Sequence, residues 1–120
     1  MPFLYVLPTC STCQRIVAEL GPPPDLEIID IRARPLVAEE VDRMAELAGS
    51  YEALFSRRAI KYRSMGLADQ ELMEVDYRRL ILEEDTFLKR PVAIVGDQIF
   101  VGSSKKQVAG LKAALANFSA

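Results

Sequence analysis

The sequence predicts an α/β domain in which a βαβ opening and a ββα close share one mixed, four-stranded sheet, with a helical block inserted between them. Three observations carry this expectation. Short β-prone apolar runs lie near both ends of the chain. Helical stripes dominate the middle. Gly/Pro punctuation separates the pieces. The 120 residues suit a single domain, expected over 1–120, with a core of about 1–35 and 86–120 and an insertion of about 36–85.

The apolar run Phe3–Leu7 ends at Pro8 and reads as a buried strand. Cys13, Ile16, Val17 and Leu20 then fall at i, i+3, i+4 and i+7, one stripe of a helix. Gly21-Pro22-Pro23-Pro24 stops that helix, and Leu26–Ile31 forms the second strand candidate. Parallel pairing through a right-handed crossover is the expected arrangement. After Arg34-Pro35, the stripe Val37, Val41, Met44, Ala45 and Ala48 marks another helix, closed by Gly49. Short helical pieces are expected over 51–63, and one or two further helices up to about Glu84, from Leu72, Met73, Tyr77, Leu80 and Ile81. Beyond Pro91, the runs Val92–Val95 and Gln98–Val101 flank Gly96-Asp97 and read as a β-hairpin. The last helix follows Gly102-Ser103-Ser104, with Val108, Leu111, Leu115 and Phe118 as its apolar stripe. A βαβ unit followed by a ββα unit is the plan of the thioredoxin-like fold.

Bulk composition narrows the function. The chain is 50% hydrophobic and 27% charged with a net charge of −2, which argues against a generally basic nucleic-acid surface. No basic start, long apolar run or cleavage site marks a signal peptide, and no stretch is long enough to span a membrane. The cytoplasm is therefore the expected location. Two cysteines and no histidine remove Cys-His and Ser-His catalysis, and leave too few ligands for a tetrahedral zinc within one chain.

Cys10-Ser11-Thr12-Cys13 is a C-x-x-C pair at a strand-to-helix junction. Cys10 lies at the helix start, where free backbone N–H groups and the positive end of the dipole favour a thiolate. Cys13 lies one turn inside, on the stripe with Ile16, and is expected to be more buried and more nearly neutral. The expected chemistry is attack by Cys10 on an oxidised sulfur, followed by displacement of the product by Cys13. A core cysteine beside an idle surface thiol, or a zinc half-site shared across a dimer, are the competing readings. The junction in a βαβ pattern favours the redox pair.

Tyr5-Val6-Leu7-Pro8-Thr9-Cys10-Ser11-Thr12-Cys13 resembles the opening of the ArsC/Spx family. Pro35-Leu36 with Glu39-Glu40-Val41 is similar to the family's entry to its second helix. Leu54-Phe55-Ser56-Arg57-Arg58, with Tyr62-Arg63 and Gly66-Leu67, is similar to its central arginine-containing segment. Leu88-Lys89-Arg90-Pro91-Val92, with Ile99-Phe100-Val101-Gly102, resembles its carboxy-terminal signature.

The resemblance implies a cis-proline at Pro91 and, beside Cys10, Arg90 as a group that stabilises a thiolate or binds an anion. It implies substrate-binding roles for Thr12, Pro91 and Arg58, with Arg57 interchangeable with Arg58 in register. Arg57, Lys61 and Arg63 otherwise read as a solvated face paired with nearby acids. The function implied first is a thiol–disulfide oxidoreductase of the arsenate reductase-like group, monomeric, with no bound cofactor, and with glutathione as co-substrate or glutaredoxin as partner. A second is an Spx-like redox regulator that binds the RNA polymerase alpha subunit, for which Gly49 falls near the contact glycine. A third is arsenate reduction itself. Against the third, Ser56 and Val101 occupy positions where those enzymes carry arginine, and Cys13 stands where they carry serine.

Overall fold

The computed structural model describes residues 2–119; Met1 and Ala120, the ends of the expected 1–120 domain, lie outside them. The chain divides into two compact units, Met1–Pro35 with Arg90–Ala120, and Leu36–Lys89.

The first unit is built on a four-stranded sheet in the order β2-β1-β3-β4. Its strands are β1 (Phe3–Val6), β2 (Glu27–Asp30), β3 (Val92–Val95) and β4 (Gln98–Val101). β1 pairs parallel with β2, Leu4 opposite Ile28, and antiparallel with β3, Leu4 opposite Ala93. β3 pairs antiparallel with β4 across the Gly96-Asp97 turn, where Gly96 takes a φ of 64° that its missing Cβ permits. The sheet is therefore mixed, as the βαβ…ββα order predicts. Central β3 is buried at all four positions, the signature of a strand covered on both faces.

Two helices belong to this unit, α1 (Ser11–Leu20) and a long carboxy-terminal helix, numbered α5 below (Lys105–Ser119). Leu4, Leu26, Ala93, Val95, Leu111 and Leu115 form one core cluster, with Val17, Leu20 and Phe100 packed against it. Phe118 departs from the sequence reading. It is 45% exposed, so the buried stripe of α5 ends at Leu115, one turn earlier than periodicity alone suggests.

Gly110 sits where α5 crosses the ring of Phe100. A Cβ there would lie 2.8 Å from Phe100 Cε1. Gly110→Ala gains up to about 1 kcal/mol of helix propensity but must displace a packed ring, which costs about 1–3 kcal/mol. The expected result is a net loss of about 1 kcal/mol, read as a lower urea midpoint.

The second unit is helical: α2 (Ala38–Ala48), α3 (Ile60–Ser64) and α4 (Glu74–Glu83), with single 3₁₀ turns between them at Glu52–Leu54 and Leu67–Asp69 and a third after α4 at Asp85–Phe87. The starts of α2 and α4 use the same device. Val37 N–H donates to Glu40 Oε1 at 3.1 Å, and Met73 N–H donates to Asp76 Oδ2 at 2.8 Å. Gly49 ends α2 with a φ of 100°. Arg78 binds Asp42 with two prongs, Nε to Oδ1 at 2.7 Å and Nη2 to Oδ2 at 3.2 Å, tying α4 to α2. Tyr51 O–H donates to the same carboxylate at 2.6 Å. Arg78 foremost, then Tyr51, holds Asp42 below the usual carboxylate range. Phe55 is the aromatic centre of this unit. It stacks on Phe87 at 5.1 Å and meets Tyr77 at 4.9 Å and Tyr62 at 6.0 Å between centroids.

Candidate active site

The loop from β1 to α1 sets the two sulfurs. Cys10 is the N-cap of α1, in extended conformation, and its N–H donates to Leu7 O at 3.0 Å. Its carbonyl accepts the first helical bond from Gln14 N–H at 3.1 Å. Its sulfur fills the role that a serine or aspartate oxygen usually fills at this position, accepting from Cys13 N–H at 3.4 Å. Sequence reading passed over Gln14, whose Nε2 donates to Pro8 O at 2.7 Å and fastens the loop to the first helical turn. Its place four residues beyond Cys10 is the only signal the sequence offers.

The two thiols are driven apart. Partial burial raises Cys10, but the N–H and thiol of Cys13, the charge of Arg90 and the N–H of Thr12 together bring it below the ordinary thiol value. Cys13 is only 2% exposed, on the inner face of α1 with Ile16. Burial pushes the Cys13 thiol up to about 11, against a Leu7 N–H that favours its thiolate and with further elevation from Cys10. Both cysteines are free thiols in this state. Of the two sulfurs, Cys10 is therefore the first to ionise, and Cys13 keeps its proton longer.

Arg90 and Pro91 open the second segment of the same unit. The Arg90–Pro91 peptide bond is cis, as the resemblance implies. Pro91 O accepts from Gly102 N–H at 2.9 Å, which fixes the entry to β3 against the end of β4. The charge of Arg90 lowers both sulfurs. Thr12 is half-buried in the first turn of α1. Cys10, Thr12, Cys13, Arg90 and Pro91 thus belong to one unit. Arg58 belongs to the other, exposed just ahead of α3.

Arg57 and Arg58 are distinguishable by their surroundings. Arg57 Nη2 binds Glu52 Oε2 at 2.7 Å and Tyr77 O–H at 3.0 Å, with the guanidinium 5.8 Å from the Tyr77 ring centroid. Arg57 is anchored on the aromatic cluster and Lys61 pairs with Glu84, whereas Arg63, expected on the same acid-paired face, has no acidic group within ion-pair distance among the described residues. Ser56 N–H donates to Phe87 O at 2.7 Å, and Val101 N–H donates to Gln107 Oε1 at 2.9 Å. Among the described residues, no cluster of His, Cys, Asp and Glu could hold a metal ion, and no helix is long and apolar enough to cross a membrane.

A mixed sheet with C-x-x-C at the junction of its first strand and helix defines a thioredoxin-like protein whose site supports thiol-dependent redox chemistry in general. The chain belongs to the ArsC family, whose model matches residues 5–111. It is similar to solved structures of the same fold. The arsenate reductase from Vibrio cholerae is 21% identical with a TM-score of 0.76, covering 91% of this chain and 95% of that one. A protein from Staphylococcus aureus is 27% identical with a TM-score of 0.71, covering 92% and 97%. An arsenate reductase-related protein from Brucella melitensis is 22% identical with a TM-score of 0.69, covering 91% and 92%. No curated protein matches the chain.

Proposed function

We propose that this chain is a thiol–disulfide oxidoreductase of the arsenate reductase-like group, with Cys10 as nucleophile, Cys13 as resolving thiol and glutathione as co-substrate. The observation that carries the reading is the division of labour between the sulfurs: a lowered Cys10 at the helix start, and a buried Cys13 raised to about 11 one turn away.

The Cys10 thiolate attacks one sulfur of a disulfide RS–SR′. The Cys10–SR bond forms, and R′S⁻ leaves. Cys13 then gives up its proton, its sulfur attacks Cys10, and RS⁻ departs to take up that proton. The chain is left with a Cys10–Cys13 disulfide, and the substrate has gained two electrons. Two glutathione thiols reset the pair by the same exchange, becoming glutathione disulfide. Arg90 supplies charge for the Cys10 thiolate and a fork for a substrate carboxylate. Thr12 and Pro91 contribute to substrate binding from the same unit.

Two neighbouring readings have less support. The φ of 100° at Gly49 is accounted for by ending α2, so this glycine gives no separate reason to expect polymerase binding. Arsenate reduction would lack arginine at Ser56 and Val101, whose backbones sit in ordinary hydrogen bonds.

The pH dependence of alkylation tests the assignment. A lower pKa leaves more thiolate at neutral pH, so iodoacetamide should modify Cys10 with a midpoint below about 8.5, while native Cys13 stays unmodified. Arg90→Ala removes one of the lowering groups, so the midpoint should rise. Glutathione-coupled turnover near neutral pH should fall with it. A midpoint at or above about 8.5 in the unmodified chain, or no coupled turnover, overturns the proposal.

A further inference from the structure

The segment from Arg57 to Ser64 carries four cations, and the helical unit treats them unequally. Arg57 is bound by Glu52 and Tyr77, and Lys61 by Glu84. Arg58 and Arg63 have no acidic group within ion-pair distance among the described residues, although the chain holds 17 acids against 15 bases. Both line one open depression of about 540 Å³, together with Arg57, Ala59, Ile60 and Ser64. Ile60 is 87% exposed, more than any other large hydrophobic residue among those described. Met65, also exposed, follows Ser64 in sequence.

Two unneutralised forks beside an apolar side chain held in water form a complementary surface for one kind of partner. Each guanidinium can take a carboxylate with two parallel hydrogen bonds. Ile60 gains only from a neighbour that is itself apolar. Nucleic acid would satisfy the arginines and leave Ile60 in water. A small inorganic anion would do the same. We propose that the Arg58–Ile60–Arg63 face docks an acidic segment of a partner protein, one in which glutamate or aspartate alternates with a leucine-like residue. The docking is independent of the thiol chemistry, since it needs neither cysteine.

A fluorescent peptide alternating glutamate and leucine is the probe, followed by polarisation, with amide shifts of the labelled protein to locate the site. Binding should weaken as salt rises, and amides of Arg58–Ser64 should shift. Arg58→Ala with Arg63→Ala should weaken binding about fivefold or more, and Ile60→Ser about threefold. All three positions are exposed, so these variants should keep the native circular dichroism spectrum. The same peptide with glutamine for glutamate should bind no better than the double variant. Cys10→Ser with Cys13→Ser should bind as the unmodified chain does, which separates this surface from the redox assignment. Shifts elsewhere with none at Arg58–Ser64, affinity unchanged in the arginine and Ile60 variants, or tighter binding of a single-stranded RNA by this face would each overturn the proposal.

Discussion

Replacing Cys10 by serine is expected to lower glutathione-coupled disulfide turnover by at least about a thousandfold, because the reaction loses its nucleophile and not merely a supporting contact. A serine hydroxyl at the same cap position can still accept the Cys13 N–H, so the helix start survives. Circular dichroism should therefore match that of the unmodified chain. Cys13→Ser should fail differently. Cys10 still attacks, but nothing inside the chain displaces the product. With oxidised glutathione as the disulfide and no reduced thiol added, one glutathione per chain should accumulate as a mixed disulfide on Cys10, visible by mass spectrometry and removed by a dithiol. Equal turnover in Cys10→Ser and the unmodified chain would remove Cys10 from the mechanism. An unaltered rate in Cys13→Ser, with no mixed disulfide, would remove Cys13 as the resolving group.

The largest stability effect is expected at Phe55. It is 0% exposed and touches Phe87, Tyr77 and Tyr62 through its ring. Its backbone also pairs with Leu88, and its neighbour Leu54 accepts from Lys89 N–H at 2.8 Å. The side chain sits at a seam where two distant segments of the helical unit are held together, so little can collapse to fill its space. Phe55→Ala should cost about 3–5 kcal/mol. That is a large part of the roughly 5–15 kcal/mol a small domain possesses. Urea unfolding followed by tyrosine fluorescence is the measurement, since Tyr62 and Tyr77 report on the altered cluster directly. Phe55→Leu keeps most of the volume and should cost much less. A loss below about 1 kcal/mol for the alanine variant would show that the cluster closes over the gap.

Elements whose apolar pattern is local were legible in the sequence. The α1 stripe from Cys13 to Ile16, the triple proline after it, and the hairpin around Gly96-Asp97 all carry their signal within a few residues. The asymmetry of the cysteine pair was legible for the same reason, since helix position alone separates a capping sulfur from a buried one. Other features depend on residues far apart. Arg57 and Arg58 are adjacent and chemically identical in the sequence. Only Tyr77, twenty positions on, together with Glu52, distinguishes them. Ile60 reads as another apolar residue of a mixed segment, and nothing nearby announces its exposure. Phe118 continues a regular stripe past the point where a core remains to receive it. The short 3₁₀ turns have no period long enough to detect.

The division of the first unit between two stretches of chain bears on the order in which the protein is made. The reactive cysteine leaves the ribosome ahead of the helical unit. The guanidinium that favours its ionised form comes eighty positions later, after the entire helical unit. Until Arg90 and β3 emerge, β1 lacks its antiparallel neighbour, and Cys10 lacks that source of positive charge. The nascent thiol is thereby less ionised than the finished one, and so slower to react with electrophiles near neutral pH. The charge that lowers Cys10 and the strand that completes the pairing of β1 thus arrive together, at Arg90 and β3.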